Sequence, residues 1–157
     1  MRHALLALVL LLPLTARAAE APAPNPLLSE WKTPFGVPPF DQIEDEHFLP
    51  AFQAGMQRQR EEVAAIATAK EPATFANTIV ALERSGELLD RVDSVFSNLN
   101  SADTNERRQA IAREVAPLQA ALQDDILLDQ RLFARVKAVW EQRDKPGLDA
   151  PDARLLF

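Results

Sequence analysis

Apolar residues recur at steps of three and four through FANTIVALERSGELLDRVDSVFSNLNSA, residues 75–102: Phe75, Ile79, Leu82, Gly86, Leu89, Val92, Phe96 and Leu99. That spacing places them on one face of a single continuous helix. Val80, Leu88 and Val95 widen the stripe, as in a helix packed inside a bundle rather than laid on its surface. The hydroxyl of Thr74 is placed to cap the start by accepting a bond from a free first-turn N–H. Gly86 stands where a core side chain belongs, at a cost of about 1 kcal/mol against alanine. It marks a close crossing by a neighbouring helix or, as the alternative, a break.

Three more helices are expected around this one. The first spans residues 46–69, with Asp45 as N-cap and Pro50 tolerated near the start. Its inner face is Phe48, Phe52, Met56, Val63 and Ile66, and QRQREE (57–62) is its solvated face. The next spans 104–123, with Asp103 and Glu106 as a D-x-x-E start and Ile111, Val115, Leu118 and Leu122 inward. Pro117 within it removes one backbone bond, so a bend or a break is expected there. The last spans 130–143, opened by Asp129, with Leu132, Phe133, Val136, Val139 and Trp140 inward. Arg143 and Lys145 suit its negative end, and Pro146-Gly147 stops it. Asp149, Pro151 and Asp152 then open another helix near 150–157. Its first apolar residues, Leu155, Leu156 and Phe157, have no second turn to bury them, which reads as truncation.

Ahead of the helices, LLSEWKTPFGVPPFDQ (27–42) carries Pro34, Pro38 and Pro39, which bar regular helix. Trp31, Phe35, Val37 and Phe40 lie on this extended strap, and leaving them wet would cost about 1.5–3 kcal/mol each. They are therefore expected to dock in a groove on the helices. The fold class that results is all-α: an antiparallel helical bundle preceded by an extended proline-rich strap.

Composition adds the surroundings. Arg2 and His3 precede ALLALVLLLPL (4–14), too short an apolar run to span a bilayer, and Ala16-Arg17-Ala18 supplies an A-x-A site. Residues 1–18 read as a cleaved signal peptide of bacterial type, which implies a periplasmic or secreted protein, with an uncleaved anchor as the alternative. AEAPAPNP (19–26) reads as a spacer. The net charge is −6, and loss of Arg2 and Arg17 with the leader leaves 15 basic against 23 acidic residues. Nucleic acid is an improbable partner for such a surface, and no basic run favours a membrane. With no cysteine in the chain, disulfides and thiolate chemistry are excluded.

Candidate chemistry is sparse. A zinc hydrolase of the H-E-x-x-H type needs two imidazoles one helical turn apart and a glutamate to activate water. Here Glu46-His47 has no second histidine after it, and His3 belongs to the leader. The acidic clusters Asp124-Asp125 and Asp41, Glu44, Asp45, Glu46 lack the glycine-bearing loop of a calcium site and read as caps and solvated faces. Serines 29, 85, 94, 97 and 101 have no histidine assigned to them, and no glycine-rich phosphate loop occurs. Asn98 and Asn100 have amides suited to bonding a peptide backbone, or to capping the end of their helix. No catalytic, cofactor-binding or metal-ligating residue is assigned.

Two runs carry a resemblance. PPFDQIEDEHFLPAFQAGM (38–56) and FANTIVALERSGELLDRVDSVFSNLNSADTNE (75–106) resemble the N-terminal region of the thimet-oligopeptidase-like zinc metallopeptidases, in the bacterial peptidyl-dipeptidase and oligopeptidase A branch. AIAREVAPLQAALQDDILLDQRLFARVKAVW extends the similarity over nearly all of 25–157. The combination of Pro-Phe-Asp, His-Phe-x-Pro-Ala-Phe and Asn-Thr-Ile is specific, although Ala76 stands where an acidic residue is expected. The resemblance implies an almost wholly helical enzyme whose deep channel admits only short peptides, with this segment forming part of the channel's wall and cover. It further implies that the zinc motif lies far beyond Phe157, that zinc belongs to the full-length enzyme, and that this chain is inactive without that catalytic region. The alternative is an independent periplasmic helical module that binds a peptide or protein.

Overall fold

The computed structural model describes residues 24–143. The expected leader, the spacer up to residue 23, Lys145, Pro146-Gly147 and the helix start near 150–157 lie outside the described residues. Within them the fold is helical, with no strand. Four helices dominate: α1 (Phe48–Thr68), α2 (Glu87–Ala102), α3 (Glu106–Leu127) and α4 (Gln130–Trp140).

The inner face of α1 forms because Phe48, Phe52, Met56, Val63 and Ile66 share one side, and all five are buried. Phe48 and Phe52 meet Phe96 of α2 edge to face, with ring centroids 5.0 and 5.3 Å apart. Further along, Gly55 faces Leu89 and Glu62 reaches Gly86, so α2 runs antiparallel to α1. α3 follows the direction of α1: Asp45 bonds Arg108 near its start, and Arg60 pairs with Asp125 near its end. Leu27, Val92, Val95, Ile111, Val115 and Leu122 close this core. A smaller apolar cluster joins Val63, Ile66 and Ala67 of α1 to Leu132 of α4.

The single helix expected over 75–101 is interrupted. Phe75–Val80 is a wider π-type turn, Ala81–Glu83 adds a short α-helical stretch, and the chain breaks before α2 at Gly86, whose φ is +86°. That left-handed conformation suits glycine because it has no Cβ to clash. The Gly86 N–H is held by Glu62 Oε2 at 2.9 Å. The close crossing instead falls at Gly55, where an added Cβ would stand 2.9 Å from Leu89 Cα. Thr74 does cap the segment, accepting from Asn77 N at 3.1 Å.

Several end positions also differ from expectation. Asp45 does not cap α1; it lies in a short 3-10 turn, Asp45–His47, and its carboxylate crosses to α3. Asn105, not Asp103, caps α3, its Oδ1 accepting from Arg108 N at 2.8 Å. α3 runs unbroken through Pro117, which is exposed, and on to Leu127. Asp129 caps α4, as its sequence suggests, accepting from Arg131 N and Leu132 N. Leu118, Phe133 and Trp140 are not buried; they are 38, 61 and 44% exposed. Leu132 and Val139, expected inward as well, are buried in α4.

Of the strap residues expected to dock, Trp31 does, joined by Leu27. Leu27 is fully buried and Trp31 half-buried, whereas Phe35, Val37 and Phe40 stay exposed. Asn25 and Pro26, read as the spacer's end, belong to the docked turn: Asn25 Nδ2 donates to His47 O at 2.8 Å, and its Oδ1 caps Pro26–Leu28. Phe35 adopts φ +60°, an unusual left-handed conformation for an aromatic residue.

Candidate functional site

The polar residues named from the sequence cluster mainly at the foot of α1. His47 is half-buried at the foot of α1, and its Nδ1 accepts the Glu44 N–H at 3.0 Å. One imidazole nitrogen is thus engaged locally. The Asp45 carboxylate is held from two sides: Arg108 Nε donates to Oδ1 and Asn105 Nδ2 to Oδ2, both at 2.7 Å. Burial works to raise its pKa, but the hydrogen bonds from Asn105 and Arg108 and the charges of Arg108 and Arg107 outweigh it. The carboxyl is held below its ordinary value. Glu46 lies 3.8 Å from Arg107, and Asp125 3.6 Å from Arg60. Asp41, Glu44 and Asp124 are exposed. Among the described residues no group of three histidine, cysteine, aspartate or glutamate side chains stands where it could hold a metal. The described donor set therefore does not fit a catalytic zinc, which needs three protein ligands around an open position.

Asn98 and Asn100 are not brought together. Asn98 Nδ2 donates to Ser94 O one turn back, and Asn100 Oδ1 accepts from Thr104. Asn98 nevertheless lines an open cleft between the strap and α2, with Trp31, Phe40, Arg91 and Val95. Ser29, Ser94, Ser97 and Ser101 are exposed and Ser85 is half-buried in the turn before Gly86; the hydroxyl hydrogen bonds shown for them are local, Ser29 to Asn25 O and Ser85 to Leu82 O.

Sequence reasoning missed three arginines that organise this surface. Arg91 donates from Nη2 to Leu27 O at 3.0 Å and lies 5.0 Å over the Trp31 ring, tying strap to α2. Arg108 joins the start of α3 to the foot of α1. Arg135 Nη1 donates to Ala69 O and Glu71 O, while its Nη2 reaches Asn77 Oδ1 at 3.1 Å and Thr78 Oγ1 at 3.4 Å. That fork gathers the end of α1, the linker after it and the π-type turn. A signal existed for two of them: Arg91 falls between Leu88 and Val95, and Arg135 between Leu132 and Val139, each inside an apolar stripe.

Among the described residues the polar side chains are taken up by local caps and by contacts between elements. Comparison with known proteins places the chain. No family model matches the chain. It is 47% identical over 132 residues to dipeptidyl carboxypeptidase of Escherichia coli K12, a match covering 84% of this chain and 19% of that enzyme. Dipeptidyl carboxypeptidase of Salmonella typhimurium is 45% identical over the same share. Oligopeptidase A of E. coli is 33% identical over 94 residues, 60% of this chain and 13% of that protein. The chain spans about a fifth of the length of the dipeptidyl carboxypeptidases it matches. It carries, as a helical segment, part of a thimet-oligopeptidase-like peptidase, homologous to dipeptidyl carboxypeptidase and oligopeptidase A.

Proposed function

We propose that this chain is the N-terminal, channel-wall segment of a secreted, zinc-dependent oligopeptidase or peptidyl-dipeptidase that hydrolyses short peptides. The identity to a fifth of dipeptidyl carboxypeptidase carries the reading. On this reading zinc belongs to a catalytic region outside the described residues, and that region is the segment's principal partner. The leader read in residues 1–18 supports export to the periplasm. No described helix is long and apolar enough to cross a membrane. The segment's own contribution is steric: rigid helices wall a channel that excludes folded proteins and admits short chains.

Hydrolysis of a quenched oligopeptide by the purified chain with added zinc tests the reading. No turnover is expected. Turnover abolished by a chelator would show that the residues assigned no chemistry do carry it.

The strap–α2 cleft, with Trp31, Phe40 and Asn98 on its walls, favours a second reading: a self-standing helical module that binds a peptide or protein. A monodisperse monomer with one sharp unfolding transition supports that module. Molten or aggregated behaviour supports a segment shaped for an absent neighbour.

A further inference from the structure

His47 stands at one end of a run of hydrogen bonds that leads into the strap. Its Nδ1 accepts the Glu44 N–H at 3.0 Å, so the ring is neutral in this arrangement and carries its proton on Nε2. The His47 N–H donates in turn to Glu44 O at 3.0 Å, and the two bonds close the turn ahead of α1. The His47 carbonyl accepts from Asn25 Nδ2 at 2.8 Å, and Oδ1 of the same Asn25 accepts the Leu27 N–H at 3.0 Å. Leu27 is fully buried, and its carbonyl is the one that Arg91 holds from α2. One titratable ring is thereby connected to the docked end of the strap.

We propose that His47 is an acid-sensitive latch: its neutral imidazole keeps the Asn25–Leu28 turn of the strap seated, and a second proton on the ring releases that turn. A proton on Nδ1 converts the acceptor into a donor, so N–H faces N–H and the bond to Glu44 is lost. Glu44 is exposed, so water takes over its N–H and the turn is free to open. The opening is local. Phe48, next in the chain, is fully buried, and Arg108 and Asn105 grip Asp45 whatever the charge on the ring. The charged groups about the turn are Glu44, Asp45 and Glu46 within it and Arg107 and Arg108 of α3, with Asp103 beside Arg108. The first turn of α1 adds no acidic group, and the strap meets the turn through the uncharged Asn25. A protonated ring has the Glu44 carboxylate on its own turn as another partner, which makes the opened form a second arrangement of a folded chain. Imidazole titrates between about pH 5 and 8, whereas the carboxylates of Asp45, Glu62 and Asp129 are held below their ordinary range and stay charged there. The latch is independent of the peptidase reading.

Amide hydrogen exchange of the whole chain, followed by NMR at about pH 7.5 and about pH 5.5 and corrected for the intrinsic effect of pH, is the test. The amides of Glu44, Leu27 and Leu28 should open about tenfold more at the lower pH, the factor that one net hydrogen bond represents. In His47→Gln the side-chain oxygen accepts the Glu44 N–H at either pH, and the ratio should fall to about one. A parent ratio near one overturns the proposal. So does a parent ratio that survives His47→Gln, which would assign the effect to another group. Opening at Glu44 without opening at Leu27 and Leu28 overturns it as well, because the turn would then not hold the strap. The ring-nitrogen shifts of the parent need no variant: Nδ1 should gain its proton in step with the rise in Glu44 exchange. Titration of the ring at a different pH from that rise, or no protection of these amides at about pH 7.5, is likewise an overturning result.

Discussion

Single residues fix where this chain turns. The Asp129 carboxylate is held at a pKa of about 2, against an ordinary 3.8, by the Arg131 side chain first and the Leu132 and Arg131 N–H groups beside it. Because the folded value is depressed, its stabilisation is complete above about pH 4 and is lost as pH falls through about 2. Asp129→Ala should cost roughly 1 kcal/mol at neutral pH and nothing below pH 2, read as the difference in urea midpoint across that range. The two glycines behave differently. Gly55→Ala drives a methyl into the Leu89 backbone and should cost about 1–3 kcal/mol through overpacking. At Gly86 an added Cβ meets only the flexible end of Gln59, so the cost, about 1–2 kcal/mol, comes from the left-handed backbone. Pairing each with Gln59→Ala separates the causes: relief at neither position is expected, and relief at Gly86 would show that the side chain matters more than φ.

At the scale of elements, the inner face of α1 could be read from its spacing, because one side of the helix supplies Phe48, Phe52 and Met56 to the main core and Val63 and Ile66 to the smaller cluster beside α4. The break at Gly86 could not. A glycine inside a periodic stripe has the same sequence signature whether a neighbour crosses it or the backbone turns there. In the strap, size and apolarity marked Phe35, Val37 and Phe40 alongside Trp31; Trp31 docks, and Arg91 of α2 ties that part of the strap down by reaching Leu27 O and lying over the Trp31 ring. Long-range bonds of this kind have no period to betray them. Arg135 makes the largest such contribution, since one guanidinium serves Ala69 O, Glu71 O, Asn77 and Thr78. Arg135→Met should destabilise the fold by about 1–3 kcal/mol by removing charge-assisted hydrogen bonds to part-buried acceptors on the linker and the π-type turn. Arg135→Lys should recover little of that, because an ammonium lacks the planar fork. Equal stability of the Lys variant and the parent in denaturant titration would contradict this.

For the molecule as a whole, the described surface divides labour between a compact α1–α2–α3 core and a flank with apolar groups left exposed. A zinc site of the H-E-x-x-H kind needs two histidines one turn apart, and among the described residues His47 is the single imidazole. The exposure of Phe133 and Trp140 was hidden, because a periodic stripe records that a side chain is apolar without recording which neighbour covers it. Both features agree with a supporting segment of a peptidase. A fusion of this chain to the E. coli dipeptidyl carboxypeptidase remainder measures that most directly, by hydrolysis of a quenched short peptide with and without this chain in place. The account predicts chelator-sensitive hydrolysis by the fusion, and none by the chain alone or by the remainder alone. Hydrolysis by the chain alone, or a well-folded fusion that leaves the peptide intact, would contradict it.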